Sequence, residues 1–181
     1  HIGGKRSYHI HQCGFDEFDA EGSAPIGHEA FHIASRHTSY SVSVDTRGTL
    51  LWDNGHDENH ICIVSENASH AYLDYLRDLG ISYIVSGKEG IDLGRAMEIL
   101  HDQFEIRRVA VVGGGQINGG FLAAGLLDEL SVMVAPGLDG RDGQPSLIDG
   151  IRDCHGFMPR RLNFKEVSTF SNGVVWIRYT F

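Results

Sequence analysis

The sequence predicts an α/β fold: a mostly parallel, mixed β-sheet with helices on both faces and a C-terminal antiparallel hairpin. Three observations indicate it. From about residue 40, short apolar segments typical of strands alternate with amphipathic segments typical of helices. The connections are short, as in βαβ units, whose right-handed crossovers bring the carboxyl ends of the strands to one edge. Finally, Ser171-Asn172-Gly173 joins two long strand-like segments, and Asn-Gly is a strong hairpin signal, so we expect an antiparallel hairpin that closes the mixed sheet.

Two strands open the alternating region. Residues 39–45, SYSVSVD, alternate with a period of two and place Val42 and Val44 on one face. Residues 60–65, HICIVS, form a β-branched run that suits a buried strand. Each segment ends at a polar cluster typical of a turn. The flanking regions, 1–38 and 137–159, have no clean period and are interpreted as loops with short elements.

Two helices follow, with a strand between them. Residues 68–79 carry an apolar stripe, with Asn67 or Ser69 as the N-cap and Gly80 at the C-terminal end. The segment ISYIVSG is then predicted to be a strand, and Asp92 can cap a second helix. The apolar residues of that helix recur at the spacing of one buried stripe: Leu93, Ala96, Met97, Leu100 and Phe104. The segment RRVAVV after it is again strand-like.

A glycine triplet follows this strand. Gly113, Gly114 and Gly115 precede FLAAGLL, which is predicted to be a helix. A strand, glycine turn and helix in this order leave free backbone N–H groups at the helix N-terminus, where the dipole favours an anion. The spacing does not match the dinucleotide fingerprint, because GxGxxG from Gly113 requires glycine where Asn118 stands. By itself the triplet predicts either a phosphate-binding turn or a tight turn without a ligand.

Length, composition and charge exclude several classes of protein. With 181 residues and 41% hydrophobic content, the chain is expected to form a single domain over 1–181. A formal charge of −9, without a basic stripe, argues against a nucleic-acid partner. No apolar run or leader peptide is present in the sequence, so we expect a cytoplasmic protein without a membrane partner. Cys13, Cys62 and Cys154 form no CxxC pair, which argues against a disulfide framework and a structural zinc site.

Histidines near the start of the chain raise a metal site as an alternative. The segment HIHQC, residues 9–13, is followed by His28, His32 and His37. Zinc sites favour ligands at recognisable spacings, whereas these histidines are scattered through loop-like sequence. We therefore expect histidines at the surface or near a substrate, and no physiological metal.

A resemblance to a known enzyme family covers about residues 40–181. It is carried by SVSVDTRGTLLWD, GISYIVSGKEGIDLGRAMEIL, GGGQINGGFLAAGLLDELSVMVAP, LDGRDGQPSLID and FKEVSTFSNGVVWIRY. These segments are similar to the reductases that form the C-terminal domain of bacterial riboflavin-biosynthesis deaminase-reductases. The resemblance implies a dihydrofolate-reductase-like, three-layer fold and NADPH-dependent reduction of 5-amino-6-(5-phosphoribosylamino)uracil. The deaminase zinc signature is absent from the sequence, so only the reductase half is expected.

The resemblance also implies residues for an NADPH site at the edge where the strands end. Backbone amides would wrap the pyrophosphate at Gly113, Gly114, Gly115, Gln116 and Ile117. Thr46 and Arg47 would hold the adenosine 2′-phosphate, for which a hydroxyl and a guanidinium are suitable partners, although a solvated turn is the alternative for this segment. Ser65, Ser86 and Gly87 end neighbouring strands and are candidate contacts to the adenosine half of the cofactor.

The chain departs from the family pattern at two places. Members usually carry an acidic residue immediately before the triplet, facing the substrate, and here Val112 occupies that position. Val112 is therefore the candidate substrate-binding residue, and a reductase acting on another small substrate is the alternative. The family's first strand, with a Ser-x-Asp-Gly type segment, has no match in residues 1–38, so the domain is expected to lack this strand or to have diverged in it.

Two further questions stay open at the level of the sequence. A binding protein that keeps the fold and a nucleotide without turnover is a third possible function, and no catalytic residue is assigned. Asp128 and Glu129 are expected to face solvent rather than to act in catalysis. Family members tend to form dimers, so we expect a homodimer, with Trp176 and Tyr179 of the hairpin in its interface or in the core.

Overall fold

The computed structural model of the protein describes residues 2–4, 17–52, 59–138, 140, 142–144, 146–150 and 159–181. It confirms the α/β class: a six-stranded mixed sheet with helices on both faces is joined to a three-stranded antiparallel sheet. We refer to them as the large sheet and the small sheet.

The large sheet is mostly parallel. It contains β1 (Ile2–Gly4), β2 (Ala30–His32), β3 (Ser41–Val44), β4 (His60–Val64), β5 (Ser82–Val85) and β6 (Val111–Gly113). Its order is β2-β5-β4-β3-β1-β6, and only β2 runs antiparallel to its neighbour, β5. The short β1 pairs with both β3 and β6, so it lies in the interior of the sheet. Both β1 and β2 fall in the region interpreted from sequence as loops with short elements.

In the described part of the chain, three helices cover the large sheet, and the caps of two of them follow the sequence signals. They are α1 (His70–Asp78), α2 (Leu93–Asp102) and α3 (Gly115–Ala123). The Ser69 side chain accepts a hydrogen bond from the backbone N–H of Tyr72, and Asp92 accepts one from that of Arg95. Both side chains satisfy N–H groups that the first turn of a helix leaves free, which confirms the two predicted N-caps.

The core lies on both faces of the large sheet. On one face, α1 packs against alternate residues of β4 and β5, with fully buried side chains from Cys62, Val64, Tyr72, Leu76 and Val85. On the other face, α2 and α3 cover the intervening residues, with Ile61, Ile63, Ile84, Leu100 and Phe121 buried. Helices cover β4 on both faces, which explains why all five of its residues are buried and four of them are apolar.

The C-terminal hairpin belongs to the small sheet. This sheet contains β7 (Glu129–Val134), β8 (Asn163–Thr169) and β9 (Val175–Thr180) in the order β7-β9-β8. The predicted turn is confirmed, with Gly173 at φ +82°. The expectation that the hairpin closes the mixed sheet is wrong, because β9 pairs with β8 on one edge and with the whole length of β7 on the other.

Helix α3 begins earlier than the sequence predicted. It starts at Gly115, directly after the N-cap Gly114, rather than at FLAAGLL. It ends at Ala123 because Gly125 adopts φ +71°, and a left-handed residue stops a helix. Leu126 and Leu127 leave the helix and pack against the core as connecting residues.

A buried hydrogen-bond network holds the turn after β3. The Asp45 carboxylate accepts hydrogen bonds from the backbone N–H groups of Thr49 at 2.6 Å and Leu50 at 2.7 Å. The Tyr72 hydroxyl lies 3.3 Å from the same carboxylate and 3.0 Å from the Leu50 carbonyl, and it accepts from Trp52 Nε1 at 3.3 Å. The network therefore joins the turn to α1.

Cys62 lies beside this network as a free, fully buried cysteine. Burial, followed by the nearby Asp45 charge, raises the pKa of its thiol to about 12. A thiol with so high a pKa carries little thiolate at neutral pH, and thiolate is the nucleophile and metal ligand. Cys62 is thus a packing residue. Cys13 and Cys154 lie outside the described residues.

An ion-pair network crosses the polar face of the small sheet. Glu129 accepts hydrogen bonds from Arg178 Nε at 2.5 Å and from Lys165, and Arg178 also donates to Glu166 at 2.8 Å. These bonds, first that from Arg178 and then that from Lys165, lower the pKa of Glu129 to about 2. Glu129 is thus part of a paired network, whereas its neighbour Asp128 is exposed as expected.

We predict that Gly48→Ala destabilises the protein by about 1 to 3 kcal/mol more than Gly22→Ala, the typical cost of overpacking a core. Both glycines have positive φ, +68° and +76°, so both alanines carry the same backbone strain. Only at Gly48 would the new Cβ meet a buried side chain, 2.6 Å from Tyr72 Cδ1. Urea unfolding measures the difference, and equal losses in the two variants would contradict the packing argument.

We predict that Glu129→Gln lowers stability near neutral pH and that this loss disappears in acid. A lowered pKa in the folded state means that the carboxylate stabilises the fold above its ordinary pKa of 4.5. This contribution is lost as the pH falls through the folded pKa of about 2. Unfolding free energies of both proteins between pH 7 and pH 2 test this, with Asp128→Asn as the control. A difference that does not change with pH would contradict it.

Candidate cofactor site

The carboxyl ends of the parallel strands meet at one edge of the large sheet, which we call the carboxyl edge. Thr46, Ser65, Ser86 and Gly114 follow β3, β4, β5 and β6, respectively. Ligands of open α/β sheets bind along such an edge. The structure therefore brings the sequence-predicted site segments to the same side of the sheet.

The segment Thr46-Arg47 is exposed at the end of β3, on a backbone that the buried network fixes. Asp45 anchors its start, and the Gly48 N–H donates to the Asp45 carbonyl at 3.0 Å to close the turn. The Arg47 side chain makes no hydrogen bond or ion pair to any residue that the structure describes. Because its backbone is fixed and its side chain is free among these residues, the Arg47 guanidinium can pair with a phosphate dianion without first breaking an internal contact.

The side chains that follow β4 and β5 are engaged within the chain. Ser65 is fully buried, and its hydroxyl donates to the Thr46 carbonyl at 2.7 Å. The Ser86 hydroxyl, also buried, donates to the Asp92 carbonyl at 3.0 Å. Gly87 has φ +85°, and a Cβ there would lie 2.1 Å from the Gly90 carbonyl oxygen. These residues shape the carboxyl edge, and their contacts to an adenosine group stay a prediction.

The glycine triplet forms the start of α3. Gly113 has φ +101°, the Gly113–Gly114 peptide bond is cis, and Gly114 is the N-cap. The N–H groups of the first turn, Gly115 to Ile117, have no partner within the helix, as at any helix start. The Ile117 side chain packs against the core, which leaves only its backbone for a ligand, whereas Gln116 is exposed. The predicted amides are thus present, but most of them lie on a helix rather than in a loop.

Val112 stands beside the glycine turn as an exposed apolar side chain. It belongs to β6, which is the outermost strand on its side of the large sheet, and 65% of its surface is accessible. An isopropyl group at this position offers no hydrogen bond to a polar substrate ring. Its proposed role in binding the substrate stays a prediction.

Sequence reasoning missed a segment that covers α3. Residues 146–150, which we call the strap, lie against its first turns: the Asp149 N–H donates to the Gly115 carbonyl at 3.0 Å. The Asn118 side chain donates to the Leu147 carbonyl at 2.8 Å. A Cβ on Gly119 would lie 1.8 Å from the Asp149 carbonyl oxygen. The spacing of Gly115 and Gly119, four residues apart on one helix face, was the available signal of a close approach.

The histidines do not gather into a site in the described part of the chain. His32 stacks on Tyr83 with ring centroids 5.5 Å apart, and His37 lies edge-on to Tyr40. Among the described residues, no three His, Cys, Asp or Glu side chains are grouped so that they could hold a metal ion. The HIHQC segment lies outside the described residues. None of the described helices is long and apolar enough to span a bilayer.

Comparison with curated proteins finds two relatives that are named 2,5-diamino-6-ribosylamino-4(3H)-pyrimidinone 5′-phosphate reductase. The protein of Methanothermobacter thermautotrophicus is 34% identical over 87 residues, which are 48% of this chain and 39% of that protein. The protein of Aquifex aeolicus is 29% identical over 90 residues, or 50% of this chain and 40% of that protein. The matched region thus spans about two fifths of each relative.

Solved structures share the fold. A pyrimidine reductase-like protein from Corynebacterium diphtheriae superposes with a TM-score of 0.69 at 18% identity, covering 99% of this chain and 74% of that one. RibD from Acinetobacter baumannii gives a TM-score of 0.68 at 19% identity, covering 99% of this chain and 46% of that one. At such identities these similarities establish the architecture alone. The model of the RibD C-terminal domain matches residues 33–176, and the chain therefore belongs to the RibD C-terminal domain family.

Proposed function

We propose that this domain is an NADPH-dependent reductase of riboflavin biosynthesis that reduces the ribosyl group of a phosphorylated ribosylaminopyrimidine, such as 5-amino-6-(5-phosphoribosylamino)uracil, to the ribityl form. The observation that carries the proposal is the pairing of two anion-binding features on the carboxyl edge. The glycine turn leads into the first-turn amides of α3, which have no partner within the helix, and the Arg47 guanidinium, which has no partner among the described residues, follows β3. Family membership and the names of the two relatives support the reaction class.

The cofactor fits the residues present. The amides of Gly115, Gln116 and Ile117 would hold the pyrophosphate, because they lie at the positive end of a helix dipole. Thr46 and Arg47 would hold the 2′-phosphate that distinguishes NADPH from NADH. When bound, the nicotinamide supplies the hydride. The protein itself orients the cofactor and the substrate and excludes water from the site. These roles require no nucleophile or metal.

A second candidate function is the reduction of another small substrate by the same cofactor. Val112 favours it, because the family's usual acidic residue would offer a hydrogen-bond acceptor to a pyrimidine and an isopropyl group does not. Trials with pyrimidine and pteridine substrates separate the two reductases. Oxidation of NADPH in the presence of substrate separates either enzyme from a binding protein without turnover.

We also infer a homodimer and a cytoplasmic location. The small sheet has an apolar face on which Phe164 and Val167 are 64% and 54% exposed, opposite Tyr179 and Ile177 in register. Such a face favours a second copy of the chain as its cover. Trp176 lies on the other face, where its ring nitrogen donates to Ser131 at 2.8 Å. The buried Cys62 forms no disulfide among the described residues, which suits a reducing compartment.

We predict that Arg47→Ala weakens NADPH binding about tenfold or more, the usual worth of a charge-assisted hydrogen bond, and leaves NADH binding unchanged. Equilibrium titration with both nucleotides measures this. Arg108→Ala is the matched control, because Arg108 is also exposed but precedes β6 at the opposite edge of the large sheet. Failure of the wild-type protein to bind either nucleotide would refute the proposed function.

We predict that Val167→Glu shifts the protein from dimer to monomer, because it places a charge in the apolar face of the small sheet. Ser168→Glu adds the same charge on the opposite face, in register with Trp176, and is expected to leave the dimer intact. Light scattering after size-exclusion chromatography gives the masses. A wild-type protein that is monomeric at all concentrations would contradict the dimer.

A further inference from the structure

The strap places a carboxylate against the first turn of α3. A Cβ built on Gly115 would lie 2.6 Å from Asp149 Oδ2 and 2.8 Å from the Ser146 carbonyl oxygen. The carboxylate therefore touches the helix at the residue where the free amides begin. Glycine at this position is what permits the approach, since a side chain would displace the strap.

Asp149 is held in this place by several contacts. Its N–H donates to the Gly115 carbonyl, and its other carboxylate oxygen accepts from the Ser146 hydroxyl. The Asn118 side chain binds the Leu147 carbonyl and also lies beside Gly113, 3.4 Å from a Cβ built there. The strap is thus tied both to the glycine turn and to the helix. Among the described residues, no cation is paired with the Asp149 carboxylate.

This arrangement puts an unpaired negative charge where the proposed cofactor carries its pyrophosphate. The positive end of the helix dipole stabilises the Asp149 carboxylate. The negative charge of that carboxylate in turn offsets part of the positive potential that would attract an incoming anion. The two anions also repel each other, more strongly near protein than in bulk water. A cofactor bound at the α3 amides therefore binds against an opposing charge that belongs to the chain.

We propose that Asp149 is an affinity-determining residue of the cofactor site, which weakens the binding of any pyrophosphate-bearing nucleotide by holding a carboxylate at the α3 N-terminus. The inference rests on the proposed function. It differs in kind from the role of Arg47: Asp149 acts on the pyrophosphate, which NADPH and NADH share, whereas Arg47 acts on the 2′-phosphate alone. Weak binding lets the oxidised cofactor leave readily after each turnover.

The test compares Asp149→Asn with Asp142→Asn in titrations with NADPH and NADH. Asparagine keeps the size of the side chain and its bond to Ser146 but removes the charge. We expect Asp149→Asn to raise the affinity for NADPH and for NADH by the same factor, roughly fivefold or more, because it removes a nearby like charge. Asp142 is exposed on the same connection, and within the described ranges its carboxylate accepts a hydrogen bond from the neighbouring Gly143 N–H alone, so its variant controls for net charge. The gain should shrink at high salt, because salt screens the repulsion.

The outcomes separate this inference from the proposed function. If the wild-type protein binds NADPH and Asp149→Asn binds it equally or more weakly, the inference fails and the cofactor site stands. If the wild-type protein binds both nucleotides and Asp149→Asn binds both more tightly, the inference and the cofactor site are both supported. If neither protein binds, both proposals fail.

A second pair of variants tests the geometry. Gly119→Ala would force its Cβ into the Asp149 carbonyl and displace the strap, whereas Gly120→Ala meets only Leu93 Cδ1 at 3.5 Å. The increase in nucleotide affinity caused by Asp149→Asn should vanish in the Gly119→Ala background and persist in the Gly120→Ala background. An undiminished gain with the strap displaced would overturn the proposed contact. If Gly119→Ala does not fold, the Asp149→Asn titrations in the wild-type and Gly120→Ala backgrounds decide alone.

Discussion

The candidate site depends on the burial of one carboxylate. Asp45 is only 2% exposed, and a buried charge must be hydrogen-bonded or it destabilises the fold. The chain satisfies it by turning back within five residues, so that the amides of Thr49 and Leu50 point at the carboxylate. The Tyr72 hydroxyl then ties this turn to α1. The same turn leaves Thr46 and Arg47 exposed on a backbone that these hydrogen bonds hold. The buried Asp45 therefore positions the two residues that we propose as partners of the 2′-phosphate.

The two sheets differ in how their faces are covered. The strands of the large sheet are covered by helices on both faces, so β4 is buried along its whole length. The proposed site of this sheet therefore lies at its carboxyl edge, where the exposed turn after β3 and the start of α3 are found. The small sheet has a charged face, on which Arg178 and Lys165 pair with Glu129 and Glu166, and an apolar face that is partly exposed. An antiparallel sheet can leave one face open in this way, which makes the small sheet the natural place for an interface.

Glycine acts at the candidate site through contacts rather than through flexibility. At Gly115 and Gly119 the missing side chains let the strap lie directly on α3, and at Gly87 the missing side chain lets residues 90–92 fold back over the end of β5. The carboxyl edge is therefore lined by close backbone approaches. In our proposals, its backbone amides bind the cofactor, and the charged side chains of Arg47 and Asp149 adjust the affinity.

The sequence by itself determined the features that depend on neighbours along the chain. The N-cap Asp92, the Asn-Gly hairpin and the alternation of strands with helices each have a local physical cause, and all are found in the structure. For the N-cap of α1 the sequence offered Asn67 or Ser69, and the structure has Ser69. Together with the family resemblance, they were sufficient to predict the α/β class. Only the tertiary structure decided that the hairpin pairs with β7 in a separate sheet, that the Ser65 and Ser86 hydroxyls bind backbone carbonyls, and that Asp149 lies on the first turn of α3. Those contacts join residues far apart in the chain, and no local pattern of charge or hydrophobicity specifies which distant backbone a side chain will meet.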